Sequence, residues 1–144
     1  MNNQPFIRFF LVALLALFSV TSIAQQKNMD EFGELVDGVR DVSAVQASEI
    51  LTAFPDVKVL DVRTAFEYRR GHIENAVNVN YYSLRFRKNL DKLDKDAIWL
   101  VHCKTGVRSG KTIPTMKELG FKHIIHMTNG IDEWRDAGLN EVKK

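Results

Sequence analysis

The sequence predicts an α/β fold in which a parallel β-sheet is covered by helices on both faces. Short apolar segments without polar alternation, such as residues 57–62 and 97–101, are typical of strands buried on both sides. Segments with helical patterns lie between these strands, and this alternation favours a parallel sheet. A length of 144 residues, with 45% hydrophobic and 26% charged residues, fits one globular domain.

The predicted elements follow one another along the chain. Residues 25–37 are polar and are expected to form a leader or a short helix. A single domain is expected over residues 38–144. It contains a weak strand (42–45), an amphipathic helix (47–54), a strand (57–62), a helical turn from Phe66 to Gly71, a strand (76–79) and a helix (82–90). Then come a strand (97–101), a helix (109–119), a strand (124–127) and a helix (131–136).

The N-terminal segment has the pattern of a secretory signal peptide. Arg8 precedes an apolar stretch over residues 9–20, and the small residues Ser22 and Ala24 follow it. We therefore expect residues 1–24 to be removed after Ala24 and the protein to be exported, either periplasmic or secreted. An uncleaved membrane anchor is the alternative, although the apolar stretch is shorter than the roughly 20 residues of a membrane span.

Charge and histidine spacing exclude some functions. The formal net charge is +2 and no long basic patch occurs, so we expect no nucleic-acid partner. The densest basic group, residues 85–88, is interpreted as a solvated helix face. His72 and His102 lack a second ligand at metal-binding spacing. His123 and His126 are predicted to face opposite sides of one strand. No metal site is therefore expected.

Cys103 is the only cysteine, and it lies between a predicted strand and a helix that we expect Ser109 to cap. Backbone N–H groups and a helix N-terminus at such a turn favour the nucleophilic thiolate. Lys104 and Arg108 add positive charge. The alternative is a small buried hydrophobic residue, but the flanking charges and Thr105-Gly106 are poor core surroundings. A single cysteine cannot form an internal disulfide, so an exported thiol indicates chemistry.

Two further polar residues lie at a strand end. Sites in open parallel sheets lie beyond the carboxyl ends of the strands, where Cys103, Asp61 and Arg63 are all predicted. We expect Asp61 and Arg63 to form a structural ion pair or loop anchor, with contact to a substrate as the alternative.

Several short blocks occur together along the chain. They are Leu60-Asp61-Val62-Arg63, Glu67-Tyr68, Gly71-His72-Ile73, Ala76-Val77-Asn78, residues 103–109, Leu119-Gly120-Phe121, Gly130-Ile131-Asp132-Glu133-Trp134 and Ala137-Gly138-Leu139. In this order they resemble the rhodanese family. The chain departs from the family pattern at Asn129, where Gly is frequent, at Glu74-Asn75, where Pro-Gly is frequent, and at Pro114 within a predicted helix. Asn can still adopt a left-handed turn.

The resemblance implies a doubly wound sheet and a sulfurtransferase without a cofactor. Cys103 would take sulfane sulfur from a small anionic donor such as thiosulfate and form a persulfide. A thiol, a cyanide-like acceptor or a protein would then accept the sulfur. The backbone amides of the loop would surround the persulfide; its residues are Lys104, Thr105, Gly106, Val107, Arg108 and Ser109. Arg108 would fix the loop, and Lys104 would attract an anion.

Two alternatives remain open at this point. Related phosphatases and arsenate reductases use a similar loop, but theirs contains one more residue than the four that separate Cys103 from Arg108 here. Other rhodanese-like domains are non-catalytic binding or regulatory modules that have lost the cysteine, whereas this chain retains it.

Overall fold

A computed structural model describes residues 28–143, so the predicted signal peptide lies outside the described residues. The described chain forms a six-stranded sheet in the order β1-β2-β6-β5-β3-β4. The strands are β1 (Glu34–Val36), β2 (Val39–Val42), β3 (Lys58–Asp61), β4 (Val77–Asn78), β5 (Ile98–His102) and β6 (His123–Met127). All neighbouring pairs are parallel except β1 and β2, which are antiparallel.

Helices cover both faces of the sheet, which confirms the predicted doubly wound α/β architecture. The helices are α1 (Ala44–Ala53), α2 (Ala65–Arg70), α3 (Phe86–Leu90), α4 (Val107–Glu118) and α5 (Gly130–Asp136). Ile50 of α1 and Ile131 of α5 belong to the apolar core on one face. Leu90 of α3 and Met116 of α4 belong to the core on the other. The central strands β3, β5 and β6 are therefore removed from water on both sides.

The central strand β5 sets the position of Cys103. It pairs in parallel with β3 on one side and β6 on the other, and its last four residues are buried. Asp61 at the end of β3 is the register partner of His102 at the end of β5. Cys103 follows directly, so it lies at the carboxyl edge of the sheet, as predicted.

The predicted strand over residues 42–45 is wrong. The strand β2 ends at Val42, and α1 begins directly after Ser43. The Ser43 hydroxyl accepts a hydrogen bond from the Gln46 N–H, and the Gln46 side chain accepts one from the Ser43 N–H. This capping box satisfies N–H groups that have no partner inside the helix, and it was the overlooked sequence signal.

The predicted helix over residues 82–90 is too long, because α3 includes only Phe86–Leu90. The Asn80 side chain accepts a hydrogen bond from the Tyr82 N–H, and the Ser83 hydroxyl accepts one from the Arg85 N–H. These local bonds offer the backbone an alternative to the helix. The basic group at residues 85–88 is otherwise solvent-exposed at its charged positions, as predicted.

The segment before residue 38 also joins the sheet. It contains a short 3₁₀ helix, Met29–Glu31, and then β1, which pairs with β2 through an Asp37-Gly38 turn. The strand was missed because all of β1 is exposed and lacks an apolar pattern. Within residues 28–143, no helix is both long enough and apolar enough to cross a membrane.

Candidate active site

The loop after β5 turns sharply into α4. The helix begins at Val107, and Gly106 occupies the N-cap position with a left-handed φ of 88°. The prediction that Ser109 caps this helix is therefore wrong. A Cβ atom at Gly106 would collide with the carbonyl oxygen of Thr128. Gly106 thus allows both the unusual backbone conformation and the close approach of the chain after β6.

Backbone N–H groups at the start of α5 bind the same loop. The Ile131 N–H donates to the Cys103 carbonyl at 2.9 Å, and the Asp132 N–H donates to the Lys104 carbonyl at 3.0 Å. Gly130 has a φ of 64°, and a Cβ atom there would collide with the Lys104 backbone. The Asn129-Gly130 variation from the family pattern therefore retains the glycine that this contact requires.

Cys103 is 1% exposed at the centre of this loop. Burial alone would raise the pKa of its thiol. The Ser109 hydroxyl and the backbone N–H groups of Ser109, Thr105 and Arg108 act in the opposite direction and together lower the pKa below its ordinary value. These donors favour the charged sulfur, because a thiolate accepts hydrogen bonds more strongly than a thiol.

Ser109 connects the thiol to two other buried or half-buried groups. Its Oγ lies 3.5 Å from the Cys103 sulfur and 3.0 Å from Nε2 of His126. Nδ1 of His126 lies 3.3 Å from a carboxylate oxygen of Asp41. No role was predicted for Asp41 or His126, because their contact depends on the register between β2 and β6, where they are paired.

Arg108 joins the loop to α2. Its Nη1 and Nη2 donate to the two carboxylate oxygens of Glu67 at 2.9 and 2.8 Å. The guanidinium also lies 5.6 Å from the centre of the Tyr82 ring. The hydrogen bond from Arg108 lowers the pKa of Glu67 to about 2 despite some burial, and the same bond raises the pKa of Arg108. Glu67 was not predicted as a site residue.

The Glu67 carboxylate has a second task at the start of α2. The Thr64 N–H and hydroxyl both donate to it, while the Thr64 hydroxyl accepts from the Glu67 N–H. This Thr-x-x-Glu capping box could have been read from the sequence, but it would not have indicated the bond to Arg108. Glu67 therefore fixes both the beginning of α2 and the side chain that ends the loop.

The remaining loop side chains point toward solvent. Thr105 and Val107 are exposed, and so is Lys104, whose Nζ lies 3.8 Å from a carboxylate oxygen of Asp132. The two cations predicted to attract an anion are thus each placed beside a carboxylate. Converging backbone N–H groups are the donors left for a bound anion.

Asp61 and Arg63 form a buried ion pair beside the loop. Arg63 Nη2 lies 2.6 Å from Asp61 Oδ2 and also donates to the Gly71 carbonyl at 2.8 Å. Both residues are at most 1% exposed, so no substrate in solvent reaches them. The pair has the geometry of the structural anchor expected from the sequence, because it ties the end of β3 to the end of α2.

His102 lies against this ion pair. Its Nε2 is 3.8 Å from Asp61 Oδ2 and has no hydrogen-bond partner, whereas Nδ1 lies 3.1 Å from the Cys103 carbonyl. Complete burial lowers the pKa of His102. The neutral ring therefore packs beneath the start of the loop. Among residues 28–143, no group of three or more His, Cys, Asp or Glu side chains is arranged to hold a metal ion.

Comparison with known proteins places this loop in a family. A family model of the rhodanese-like domain matches residues 43–137, which include every strand from β3 to β6 and the whole Cys103 loop. The chain belongs to the rhodanese-like domain family. The resemblance stated from the sequence blocks is therefore confirmed, and this is a family that includes sulfur-transfer proteins.

Solved rhodanese structures share the fold. A rhodanese-related protein from Thermoplasma volcanium aligns with a TM-score of 0.62 and 28% identity, covering 73% of this chain and 99% of that one. A polysulfide-sulfur transferase from Wolinella succinogenes aligns with a TM-score of 0.59 and 28% identity, covering 72% of this chain and 78% of that one.

Curated relatives are longer proteins with different names. A tRNA uridine(34) hydroxylase from Legionella pneumophila is 39% identical over 83 residues, covering 54% of this chain and 32% of the relative. A probable adenylyltransferase/sulfurtransferase MoeZ from Mycobacterium tuberculosis is 28% identical over 138 residues, covering 85% of this chain and 35% of the relative. The chain spans about a third of the length of these relatives.

Proposed function

We propose that this protein is a sulfurtransferase that carries sulfane sulfur on Cys103 as a persulfide. The observation that carries the proposal is the buried Cys103 sulfur, which lies 3.5 Å from the Ser109 hydroxyl oxygen. Hydrogen bonds from this hydroxyl and from backbone N–H groups of the loop lower its pKa despite the burial. A persulfide is an anion at the same place, with its charge on the outer sulfur. It needs hydrogen-bond donors that are already oriented, and it needs no general base.

The reaction balances without a cofactor. The Cys103 thiolate attacks the outer sulfur of thiosulfate, the sulfur–sulfur bond of the donor breaks, and sulfite leaves with the bonding electron pair. The persulfide on Cys103 then presents its outer sulfur to a nucleophile such as cyanide or a thiolate. The acceptor takes that sulfur, and the electron pair of the breaking bond returns to Cys103 as the thiolate.

Loop size supports sulfur transfer over phosphate chemistry. Four residues separate Cys103 from Arg108, and both loop cations lie beside carboxylates. In phosphatase chemistry the whole phosphoryl group must lie within the loop, whereas in sulfur transfer only one sulfur atom stays on Cys103. A shorter loop offers fewer backbone N–H groups to surround the larger group. The relatives named as a sulfurtransferase and as a polysulfide-sulfur transferase favour the same chemistry.

The proposal also includes the location and the physiological acceptor. We expect residues 1–24 to be removed on export and the sulfur to be transferred to a protein acceptor outside the cytoplasm.

Mass spectrometry of the intact protein tests the proposal. After incubation with thiosulfate, the protein should gain the mass of one sulfur atom and lose it again on addition of cyanide. Cys103→Ser should gain nothing, because an alkoxide does not form a stable sulfane adduct and the chain contains no other cysteine. Phosphate-monoester hydrolysis without any sulfur adduct would replace the assignment with a phosphatase. Neither activity in a folded protein would favour a binding module.

A further inference from the structure

A line of polar side chains runs beneath the loop and ends at Cys103. Asp41 on β2 contacts Nδ1 of His126 at 3.3 Å, and Nε2 of His126 contacts the Ser109 hydroxyl oxygen at 3.0 Å. The Ser109 oxygen in turn lies 3.5 Å from the Cys103 sulfur. Three separate elements, β2, β6 and α4, thus place these groups in one row.

The surroundings of His126 are otherwise apolar. Its side chain is 11% exposed, and its register partner on β5 is Val101. From α4 it meets Ser109 and the backbone of Gly110, where an added Cβ atom would lie 3.7 Å from the ring. Its two ring nitrogens contact the Asp41 carboxylate directly and the Cys103 sulfur through Ser109.

The single proton of the Ser109 hydroxyl links His126 to Cys103. The Ser109 hydroxyl has one proton to donate and three acceptors within reach: the Gly106 carbonyl at 3.0 Å, Nε2 of His126 at 3.0 Å and the Cys103 sulfur at 3.5 Å. A neutral His126 that keeps its proton on Nδ1, toward Asp41, leaves Nε2 free to accept the Ser109 proton. Nε2 then competes with Cys103 for that proton and weakens the hydrogen bond from Ser109 to the sulfur.

Protonation of His126 reverses the second bond. The ring then donates from Nδ1 to Asp41 and from Nε2 to the Ser109 oxygen. Ser109 can no longer donate to the ring, so only the Gly106 carbonyl and the Cys103 sulfur remain as acceptors. The sulfur, as an anion, is the stronger of the two.

We propose that His126, oriented by Asp41, is a positioning residue that controls how strongly the Ser109 hydroxyl donates to the sulfur of Cys103. This role deepens the proposed sulfur transfer and rests on it, because the same hydroxyl would stabilise the thiolate and the persulfide. By linkage, an anion at Cys103 and a proton on His126 must favour each other. Ionisation of Cys103 and proton uptake at His126 are thereby coupled.

NMR of the histidine ring nitrogens tests this coupling without any sulfur donor. In the wild type, the neutral His126 ring should carry its proton on Nδ1. Asp41→Asn should shift the neutral ring toward the Nε2–H form, because the carboxylate that selects Nδ1–H is gone. A wild-type ring with its proton on Nε2 would overturn the proposal.

Removal of the anion supplies the second measurement. In Cys103→Ser, the proton affinity of His126 should fall about tenfold, a magnitude typical of coupling between two sites. Ser109→Ala should abolish most of this difference, because the hydroxyl transmits it. The exposed His123 on the same strand serves as the internal control and should titrate identically in all variants.

The outcomes separate this role from the proposed function. Equal His126 titration in the wild type and in Cys103→Ser refutes the coupling, even if thiosulfate still loads the protein with sulfur. Coupling that survives Ser109→Ala unchanged refutes the hydroxyl as its route. Coupling in a protein that never takes up sulfur keeps the positioning role of His126 but contradicts sulfur transfer.

Discussion

Glu67→Gln removes the charge that holds Arg108 while preserving the length of the side chain. The pKa of Glu67 falls from its ordinary 4.5 to about 2 on folding, chiefly through the hydrogen bond from Arg108. A shift of that size would correspond to about 3 kcal/mol of stabilisation in a shielded site. The Glu67 and Arg108 side chains are 27% and 14% exposed and lie at the rim, so solvent screening reduces the expected loss to about 1–2 kcal/mol.

The pH dependence of this loss has a defined sign. A carboxylate whose pKa is lowered on folding stabilises the fold above its unfolded pKa, and this contribution is lost as the group is protonated. The difference between the wild type and Glu67→Gln should therefore be complete at neutral pH. It should shrink as the pH falls from 4.5 toward about 2.

Urea denaturation at several pH values measures this difference. Glu118→Gln is the matched control, because Glu118 also pairs with an arginine, Arg87, but both side chains are more than half exposed. The control should lose no more than about 0.5 kcal/mol. Equal losses in the two variants, or a loss for Glu67→Gln that is the same at neutral and acidic pH, would refute the role given to this ion pair.

Three further results are expected. Gly106→Ala should destabilise the protein by at least about 1 kcal/mol more than Gly120→Ala and slow alkylation of Cys103 by iodoacetamide. Both glycines have a left-handed φ, but of the two only Gly106 faces a carbonyl, that of Thr128. Equal stabilities of the two variants would contradict this close approach of Thr128 to Gly106. One glycine inserted between Gly106 and Val107 should weaken sulfur loading from thiosulfate, and unchanged loading would show that loop size is unimportant. Amino-terminal sequencing of exported protein should begin at or near Gln25, whereas an intact N-terminus in a membrane fraction would indicate an anchor.

The sequence was sufficient for features that depend on local pattern. The apolar residues before Cys103 predicted β5, and the alternation of strands and helices predicted the sheet and its covered faces. These patterns report burial, and burial largely decides where a strand lies in an α/β fold. The position of Cys103 at the carboxyl edge followed from them.

Features that depend on contacts between distant segments could not be predicted. Arg108 and Glu67 are 41 residues apart, and no local sequence pattern around either residue indicates the other as its partner. The assignment of Ser109 as a helix cap failed for the same reason. The N-cap position belongs to Gly106, because the Thr128 carbonyl approaches too closely for a side chain there. Ser109 lies further along the helix and faces the sulfur.

The charges around the loop indicate how it stabilises an anion at Cys103. Arg108 is bound to Glu67 in two hydrogen bonds, and Lys104 lies near Asp132 at the surface. Their positive charges are thus largely offset, and the buried sulfur is stabilised by N–H dipoles and one hydroxyl. Dipoles at short range stabilise a single negative charge on one compact atom, as on the Cys103 sulfur. A thiolate that becomes a persulfide keeps one negative charge throughout, so the proposed sulfur carrier meets the same donors in both states.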